Sequence, residues 1–367
     1  MNVAYDHQVF CTQRQGGVSR YFSELVGELQ ADAAIGVTVM APLHINEYLL
    51  RPQIRRCVAG FHIPNFRGAM RAAAAVNSAI LPIAWLRSRF DVIHETYYSL
   101  IRRGRCRARV ITVYDMIHEL FPSEFPDWKS TTHAKRASVD RADHIVCISE
   151  TTRRDLVRMF EVEPSRTTVI YLGSSLQSGL PLPIEPVTRT VKPYVLYVGN
   201  RCGYKNFQLL LSAFARSRLL RSEFELVAFG GGALTVPELQ LLGDARLRHC
   251  VRQVSGNDAK LAEMYLGAAA FVYPSRYEGF GIPPLEAMEH DCPVVCSNAG
   301  SMSEVVGDAG AYFDPLDVDD LRNQLEHVIS DQVFAAELRR LGRLRIQQFS
   351  WQKCAEETLA LYGRLIA

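Results

Sequence analysis

Short apolar runs alternate with segments of helical periodicity along the whole chain. In the first half, runs rich in Val, Ile, Tyr and Phe predict six strands, at residues 3–6, 36–40, 91–94, 110–114, 144–148 and 168–172. In the second half, similar runs predict four more, at residues 194–198, 225–229, 270–273 and 293–296. Because helical patterns separate the strands, we predict an α/β protein built from βαβ units, with parallel sheets and right-handed crossovers.

A proline-rich break divides this pattern into two halves. Four prolines fall between residues 181 and 193 and predict a stiff, extended linker, after which a new strand begins. We therefore predict two Rossmann-like domains, 1–182 and 193–350, and a final helix, 351–367, that packs back on the first domain. Open parallel sheets bind ligands beyond the carboxyl ends of their strands, so we expect the two domains to face each other across a ligand-binding cleft.

Cysteine usage and hydropathy narrow the class of protein. The nine cysteines are widely spread without a C-x-x-C pair, which is typical of a reduced, cytoplasmic protein without a thiol-ligated metal. The chain starts without a basic leader, so we predict no signal peptide. The longest apolar stretch, 72–86, is interrupted by Asn77, Ser78 and Pro82. It falls short of the roughly 20 residues that span a bilayer.

Residues 48–110 form a strongly basic region in a chain whose formal net charge is only +2. The region contains twelve arginines, and its only acidic residues are Asp91 and Glu95. This imbalance predicts an anionic partner. Two interpretations are open: the stretch 66–90 lies on an anionic membrane surface, or the arginines form a solvated face over buried helices. The region has no aromatic-interleaved basic motif, which disfavours nucleic acid.

The segment Tyr273–Glu286 carries the strongest chemical signal, because it follows a predicted buried strand and opens a helix. Gly279 and Gly281 let the backbone come close to a ligand, and the paired prolines after them suit a first helical turn. Free N–H groups at such a helix start favour an anion, for example a diphosphate. Glu278 in the loop and Glu286 in the predicted first turn would accept hydrogen bonds from neutral hydroxyls, as on a sugar ring and a ribose.

A second segment, Val198–Asn206, follows the first predicted strand of the second domain. Arg201 and Lys205 lie there in a glycine-containing loop at the carboxyl end of the strand. Two cations at this place would neutralise the charge that grows on a departing diphosphate. Alone they are more typical of a solvated surface; together with the first segment they favour a diphosphate site.

A third segment, Gln15–Arg20, places Gly16 and Gly17 between the first predicted strand and a helix. Backbone N–H groups at such a turn can approach a phosphate. A plain tight turn is the alternative interpretation. The segment lacks the complete G-x-G-x-x-G pattern, so it does not support a dinucleotide site.

A fourth segment follows the strand at 110–114 and contains Asp115 and His118. Either side chain could bind the transferred sugar or accept a proton from the acceptor. A structural role is the open alternative, above all for His118. His94, at the end of the strand 91–94, is a weaker candidate of the same kind.

Asp317-Val-Asp319 has the D-x-D form that some glycosyltransferases use to hold a metal and a diphosphate. Here Asp317 precedes a predicted helix, and Asp320 follows three residues later. That arrangement is typical of a helix N-cap with acidic residues in the first turn. We therefore predict a cap and no required metal.

These residues together resemble a known family. Glu278-Gly-Phe-Gly-Ile-Pro-Pro-Leu-Glu286, with the segments 293–298 and 300–304 after it, is similar to the family 4 retaining glycosyltransferases of the GT-B fold. The resemblance extends from the Gly-Gly loop to the last helix. Within the family, the chain looks most like bacterial mannosyltransferases of O-antigen and exopolysaccharide assembly.

The resemblance implies a role for each matching position of the segment Glu278–Glu286. Glu286 would bind the nucleotide ribose, and Glu278 would contact hydroxyls of the transferred sugar. Gly279, Phe280 and Gly281 would offer backbone N–H groups to the sugar and the diphosphate.

The resemblance also assigns the remaining candidates. Arg201 and Lys205 would hold the diphosphate, and Gly17 would approach it from the other domain. Val254 and Ser255 fall where the family often contacts the base. The chain departs from many relatives in one place, since Tyr114-Asp115 stands where they have His-Asp, and this leaves the role of His118 open.

The resemblance implies metal-independent, retaining transfer of a sugar from a nucleotide-sugar donor to a saccharide or lipid-linked saccharide acceptor. Mannose from GDP-mannose is the first expectation for the donor, and cell-surface polysaccharide assembly is the expected setting. We expect no metal and no other cofactor. Two alternatives are open on the same fold: a non-catalytic sugar-nucleotide-binding protein, and a sugar-nucleotide epimerase that acts without an acceptor.

Overall fold

The chain divides into two compact units in a computed structural model. The first unit contains Met1–Gly173 together with Trp351–Ala367, and the second contains Ser174–Ser350. The structure describes residues 1–64, 66, 68–174, 176, 192–201 and 203–367. Most of the predicted proline linker, including the predicted boundary at 182, lies outside the described residues.

The first unit contains a six-stranded sheet and a separate two-stranded one. Its strands are β1 (Asn2–Asp6), β2 (Gly36–Met40), β3 (Leu43–His44), β4 (Phe61–His62), β5 (Arg89–Glu95), β6 (Arg105–Val113), β7 (His144–Cys147) and β8 (Thr167–Val169). The large sheet has the order β2-β1-β5-β6-β7-β8, and β3 pairs with β4. All of these pairs are parallel, as the alternation of strands and helices predicts.

Helices connect these strands, as βαβ units require. They are α1 (Gln8–Thr12), α2 (Gly17–Leu29), α3 (Pro52–Arg55), α4 (Ala69–Arg87), α5 (Ile117–Leu120), α6 (Trp128–Arg141) and α7 (Glu150–Phe160). Short 3-10 turns lie at Tyr48–Leu50, Pro122–Glu124 and Pro164–Arg166.

The second unit repeats the same architecture. Its strands are β9 (Tyr194–Val198), β10 (Glu225–Phe229), β11 (Val251–Val254), β12 (Ala270–Tyr273), β13 (Val294–Ser297) and β14 (Gly310–Phe313). They form one parallel sheet of order β11-β10-β9-β12-β13-β14. The order reverses between β9 and β12, and such a reversal opens a ligand-binding crevice at the carboxyl ends of the strands.

The helices of the second unit cover this sheet. They are α8 (Phe207–Arg216), α9 (Arg218–Glu223), α10 (Val236–Asp244), α11 (Asp258–Gly267), α12 (Ile282–Glu289), α13 (Met302–Val306), α14 (Val318–Ser330) and α15 (Gln332–Arg345). The 3-10 turns of this unit are Gly203–Lys205, Gly307–Ala309 and Ile346–Gln348. Helix α8 shows why the sequence folds this way, since Phe207, Leu210, Leu211 and Phe214 recur at helical spacing and are all buried in the core.

The last helix, α16 (Trp351–Ile366), belongs to the first unit, where it packs on α2 and on the sheet. Its Tyr362 hydroxyl lies 2.5 Å from Nδ1 of His94, and Nε2 of His94 lies 2.8 Å from the hydroxyl of Thr112. Burial lowers the pKa of His94 to about 3, so its ring is neutral. His94 therefore joins α16 to β5 and β6. Because its ring is fully buried in this role, the prediction of His94 as a weaker site residue is wrong.

Helix α4 contains the whole apolar stretch 72–86 and continues through its polar residues and its proline. Asn77 and Ser78 do not interrupt it, because Asn77 pairs with the backbone of Leu43 and the Ser78 hydroxyl donates to a carbonyl of its own helix. Pro82 also lies inside the helix. By length and composition, Ala69–Leu86 is the one helical stretch within the described ranges that could cross a membrane.

Candidate functional site

The two strongest sequence signals meet at the carboxyl edge of the second sheet. The loop after β9 carries Lys205, the loop after β12 carries Glu278, and β9 and β12 are neighbours. The ammonium group of Lys205 donates to Oε1 of Glu278 over 2.7 Å. The topology therefore brings together, at the switch point of the sheet, two residues that lie 73 positions apart.

Aromatic rings line the Lys205–Glu278 pair. Nζ of Lys205 lies 5.1 Å from the ring centre of Tyr204 and 5.5 Å from that of Tyr273. Burial and the nearby charge of Glu278 hold the pKa of Tyr273 well above its usual range, so Tyr273 remains a neutral phenol. The side chains of Lys205 and Glu278 are only 18% and 12% exposed. Such shielding strengthens the electrostatic interactions of both groups with a ligand.

Asn206 ties the two loops together. Its backbone is left-handed, with φ at +58°, which Asn tolerates better than most residues. Its side-chain amide donates to the carbonyls of Pro274 and Pro315, over 3.1 and 2.8 Å. Helix α8 begins at the next residue, so the packing of α8 in the core fixes the position of Lys205, two residues before the helix.

The Glu278 loop is held from the β13 side. The Ser301 hydroxyl lies 3.0 Å from the carbonyl oxygen of Glu278 and 2.5 Å from that of Phe280. Gly300 has a φ of +63°, and a Cβ there would lie 2.7 Å from the backbone nitrogen of Glu278. The buried ring of Phe280 packs edge-on against Phe349 at 5.8 Å. The loop conformation is thus fixed by its neighbours.

The start of α12 has the predicted form, with one correction. Gly281, at φ +122°, is the N-cap, and a proline occupies the first helical turn. Glu286, however, is the fifth residue of the helix and lies one turn deeper than the sequence predicts. Its side chain is buried and accepts a hydrogen bond from the Tyr265 hydroxyl over 3.2 Å. Gly279, next to Glu278, is buried.

The predicted base contacts lie at the end of β11. Val254 is the last residue of that strand and Ser255 follows it. The Ser255 hydroxyl accepts a hydrogen bond from the Gln253 amide over 2.7 Å. Because β11, β9 and β12 run parallel in one sheet, Val254 and Ser255 lie at the same carboxyl edge as Lys205 and Glu278.

Arg201 has partners that the sequence did not predict. Its Nε donates to Oε1 of Glu238 over 2.6 Å, and its side chain is only 3% exposed. Its terminal nitrogens also face the backbone carbonyls of residues 230–233. Burial alone would raise the pKa of Glu238, but the hydrogen bonds from Arg201 and Thr235 hold it below its usual value. Arg201 is therefore a buried, paired cation, and its contact with a diphosphate stays a prediction.

The predicted residues of the Gly-Gly loop lie in the first unit. Gly16 is the N-cap of α2 and Gly17 is its first residue. The carbonyl of Gly16 accepts from the N–H of Arg20, and Oε1 of Gln13 caps the backbone of Ser19. A side chain at Gly17 would meet no atom within 4 Å. The helix start is thus exposed, and its approach to a diphosphate stays a prediction.

Asp115 and His118 follow β6, as predicted, but both have local structural roles. Asp115 accepts from the backbone N–H of Ile117 over 3.1 Å, and Lys135 donates to its carbonyl. The His118 ring packs against Phe125 with ring centres 4.4 Å apart. Both side chains are half-buried, and their participation in acceptor chemistry stays a prediction.

The D-x-D segment is a helix cap, as predicted. Oδ1 of Asp317 accepts from the backbone N–H groups of Asp319 and Asp320, over 2.8 and 3.1 Å, at the start of α14. This satisfies two of the free donors of a helix N-terminus. Among the described residues, His, Cys, Asp and Glu form no cluster of three that could hold a metal ion.

Two family profiles match the chain in tandem. The family described as Glycosyltransferase Family 4 matches residues 15–177, and the family described as Glycosyl transferases group 1 matches residues 184–345. An O-antigen chain mannosyltransferase B from Escherichia coli is 33% identical over 237 residues, which are 62% of this chain and 62% of that relative. An alpha-maltose-1-phosphate synthase from Mycobacterium tuberculosis is 27% identical over the full length of both chains.

Solved structures give the same fold. The structure of Anabaena Alr3699/HepE, in complex with UDP and glucose, covers 99% of this chain at a TM-score of 0.76 and 16% identity. Two parallel sheets in tandem, with a switch point in the second, are the GT-B fold of these structures. With the two family profiles, they show that the chain belongs to the family 4 glycosyltransferases. The match spans about three fifths of the length of the Escherichia coli relative.

Proposed function

We propose that the chain transfers a hexosyl group from a nucleoside diphosphate sugar to a saccharide acceptor, with retention of the anomeric configuration. The observation that carries this proposal is the Lys205–Glu278 pair, which lies at the switch point of the second sheet, directly before the glycine-led start of α12. Retention fits family 4 in general.

The charges of the pair suit a sugar diphosphate. The Lys205 ammonium stabilises the negative charge that grows on the departing diphosphate, and the N–H groups at the start of α12 add to this. Glu278 accepts hydrogen bonds from hydroxyls of the transferred sugar, and Glu286 accepts those of the ribose. Lys205 supplies the charge that a metal supplies elsewhere, so we propose that the reaction requires none.

The proposed reaction needs no protein nucleophile. The acceptor hydroxyl attacks the anomeric carbon from the face of the leaving group, and the bond from that carbon to the diphosphate oxygen breaks. A diphosphate oxygen takes the acceptor proton. Asp115 and His118 remain the proposed contacts of the first unit with the acceptor or the sugar. Exclusion of water from the site limits hydrolysis of the donor.

For the donor, we propose GDP-mannose, and for the setting, assembly of a bacterial cell-surface polysaccharide at the cytoplasmic side of the membrane. The mannosyltransferase relative supports this choice, whereas the full-length relative is named for a different product. Incubation of the protein with GDP-mannose and a mannose-terminated oligosaccharide, followed by NMR of the product, tests the proposal. We expect a new α-mannosyl linkage that forms equally well with EDTA. A changed sugar on the nucleotide without acceptor would instead identify an epimerase, and no product with any donor would favour a non-catalytic protein.

Helix α4 supports a second proposal, that the first unit binds an anionic membrane surface. Its buried stripe recurs every four residues, at Ala69, Ala73, Asn77, Leu81 and Trp85. Its other face is apolar as well but exposed, and the large exposed side chains on it are Met70, Val76, Ile80, Ile83 and Leu86. An apolar helix face of this kind lies in a membrane interface when cations flank it.

Cations do flank α4, and acidic residues do not offset them. Arg71, Arg102 and Arg105 are exposed. Of the two acids in the basic region, Glu95 is buried between Arg109 and Arg141, with contacts of 2.9 and 2.5 Å. The other, Asp91, accepts a hydrogen bond from the backbone N–H of Asn2 in β1. Burial removes Arg109 together with Glu95, so the region keeps its excess of positive charge, which favours anionic lipids.

Sedimentation with vesicles tests the membrane proposal. We expect binding to phosphatidylcholine vesicles that contain phosphatidylglycerol, and not to vesicles of phosphatidylcholine alone, with loss at high salt. Ile80→Glu with Ile83→Glu should abolish binding, whereas Val333→Glu, at a residue 82% exposed in the second unit, should not. Binding that survives in the double variant would contradict the proposal.

A further inference from the structure

A pocket of about 420 Å³ lies in the first unit, between the end of α4 and the loop that precedes β6. Its volume is within the range of small-molecule sites, about 300–1,000 Å³. Pro82, Trp85 and Leu86 line it from α4, and Ile101 lines it from the loop. Leu86 and Ile101 are 72% and 58% exposed. Large apolar side chains that remain exposed around a pocket are typical of a binding site.

The loop approaches α4 most closely at Gly104, which also lines the pocket. Gly104 has a φ of +70°, and a Cβ there would lie 2.4 Å from Cε3 of Trp85. Glycine is the residue that fits such a backbone and such a close approach. Trp85 is buried and packs with Leu81 and Ile93 in a core cluster. The pocket is therefore built on core packing, and not only on surface side chains.

The polar lining of the pocket is cationic. Arg102, Arg103 and Arg105 line it, and none of the three forms an ion pair within the described part of the chain. Arg103 lies 3.5 Å from the hydroxyl of Ser99, whereas Arg102 and Arg105 are exposed. Arg105 also pairs in register with Arg89 of β5, so two like charges begin neighbouring strands. Like charges in such a position repel each other, and a bound anion would offset this.

The pocket lies at the amino edge of the first sheet, away from the proposed acceptor contacts. Arg105 is the first residue of the nine-residue strand β6, whereas Asp115 and His118 follow the end of that strand. A strand of this length spans roughly 26 Å between its first and last residues. A ligand in the pocket is therefore not the reacting hydroxyl of the acceptor. Leu86 belongs both to the pocket and to the exposed apolar face of α4, so the pocket adjoins the proposed membrane surface.

We propose that this pocket binds a single membrane lipid, with a hydrocarbon chain on its apolar residues and a phosphate head on Arg102 and Arg105. Guanidinium groups bind phosphate through paired hydrogen bonds, and a phosphate monoester carries more negative charge than a carboxylate. The inference rests on the proposed membrane surface for the source of the lipid, and it does not depend on the transfer reaction. It goes beyond that proposal, because a charged surface attracts a bilayer without taking up any single lipid.

Short alkyl phosphates below the concentration at which they form micelles test the pocket separately from a bilayer. Calorimetry of the full chain with hexyl and octyl phosphate should show binding that tightens up to about fourfold for each added methylene, because each methylene is removed from water. Inorganic phosphate keeps the head without the chain, and octanol keeps the chain without the charge. Each should bind at least about tenfold more weakly than octyl phosphate.

A first pair of variants tests the apolar part of the pocket. Ile101→Glu places a carboxylate in the pocket and should raise the Kd of octyl phosphate at least about tenfold. Ile83→Glu is the matched control, since Ile83 is 56% exposed on α4 but does not line the pocket. Because solvent and salt screen a charge outside the pocket, the Kd of this control should stay within about twofold of the wild type.

A second pair tests the cations. Arg102→Gln with Arg105→Gln should raise the Kd of octyl phosphate at least about tenfold, because charge-assisted hydrogen bonds are lost. Arg55→Gln with Arg56→Gln removes the same charge at exposed arginines that do not line the pocket. This control should bind octyl phosphate like the wild type. Circular dichroism checks that each variant is folded.

Three results would overturn the inference. The first is a wild type that binds octyl phosphate no better than inorganic phosphate or octanol. The second is an equal loss in Ile101→Glu and Ile83→Glu, which would show adsorption to α4 instead of uptake by the pocket. The third is octanoate that binds as tightly as octyl phosphate, which would replace the phosphate head by a carboxylate.

Vesicle sedimentation separates these failures from a failure of the membrane proposal. Ile80→Glu with Ile83→Glu should lose vesicle binding but keep octyl phosphate binding, because neither residue lines the pocket. A wild type that binds octyl phosphate but no anionic vesicles would contradict the membrane as the source of the ligand. Binding of octyl phosphate by a protein without transferase activity would leave the inference intact.

Discussion

Lys205 and Glu278 neutralise each other in a site that we propose for a more strongly negative ligand. Each is largely shielded from water, so each depends on the other when the site holds no donor. Removal of the lysine leaves an uncompensated carboxylate that repels the diphosphate. Removal of the glutamate leaves the lysine mobile and deprives the sugar of a hydrogen-bond acceptor.

This dependence predicts non-additive effects on catalysis. We expect Lys205→Ala and Glu278→Ala each to reduce turnover by more than tenfold without unfolding the protein. The Kd of the donor should rise most in Lys205→Ala and recover in part in the double variant, because the repelling carboxylate is then gone as well. Steady-state kinetics and calorimetry on the four proteins measure this coupling.

Near-normal turnover in either single variant would contradict the assignment of the pair. Arg216→Ala is a suitable control, because Arg216 is an exposed arginine of the same unit that pairs with the exposed Asp319. It should keep wild-type turnover, since surface pairs contribute little.

The sequence was sufficient to select Lys205 and Glu278, because each follows a clear strand in a glycine-containing loop. It was not sufficient for Arg201, whose partner Glu238 lies 37 positions away. A signal was present, since Thr235-Val-Pro-Glu238 has the form of a capping box and comes after a predicted strand, 225–229, and the three glycines that follow that strand. What the sequence could not indicate was that the capping glutamate would face an arginine.

At the scale of elements, the loop after β12 depends on a single glycine of the next loop. The left-handed backbone of Gly300 and its close approach to the Glu278 backbone exclude any side chain there. Gly300→Ala should therefore lower the free energy of unfolding by about 1–3 kcal/mol and reduce turnover, because the displaced neighbour is backbone.

Urea unfolding and a turnover assay test this together. Gly363→Ala is the control, because Gly363 lies within α16 and a Cβ there meets no atom within 4 Å. It should be neutral or stabilise the protein by up to about 1 kcal/mol. A Gly300→Ala variant with wild-type stability and turnover would show that the loop can move.

The last helix gives the first unit a specific pH dependence. His94 holds α16 as a neutral ring, with a native pKa of about 3 against an ordinary value near 6.5. Between these values the unfolded chain binds a proton that the native state does not. The free energy of unfolding therefore falls as the pH is lowered, by about 2 kcal/mol from this group between pH 7 and pH 5.

Comparison of His94→Gln with the wild type isolates the contribution. The variant should be less stable at pH 7 but should lose about 2 kcal/mol less between pH 7 and pH 5. His133→Gln, at an exposed histidine of the same unit, should keep the wild-type dependence. Equal slopes for His94→Gln and the wild type would show that the ring titrates freely.

Elements with strong apolar runs were the predictable ones. The strands Gly36–Met40, Tyr194–Val198, Glu225–Phe229 and Ala270–Tyr273 have the bounds that the sequence predicts. The sequence missed β11 and β14, since β11 reads Val-Arg-Gln-Val and β14 begins with glycine. Both lie at sheet edges, where less apolar surface is buried and the hydrophobic signal is weaker.

At the scale of the whole molecule, the alternation of strands and helices was enough to predict two α/β units with parallel sheets. Strand order was not predictable, because it depends on long-range pairing that no local pattern encodes. That order explains why residues 73 positions apart form one site. For the surface around α4, the sequence predicted the excess of arginines. It did not predict that Glu95 is buried.

One measurement tests most directly whether the second unit holds a nucleotide-sugar site that needs no metal. It is thermal unfolding of the wild type and of Lys205→Met with GDP-, UDP-, ADP- and dTDP-sugars at millimolar concentration, with and without EDTA. A ligand that binds only the folded state raises the unfolding temperature by mass action. We predict that sugars of one nucleotide, with GDP-mannose as the first expectation, stabilise the wild type equally with EDTA and barely stabilise the variant. No shift of the wild type with any donor, or a shift that EDTA abolishes, would contradict that claim.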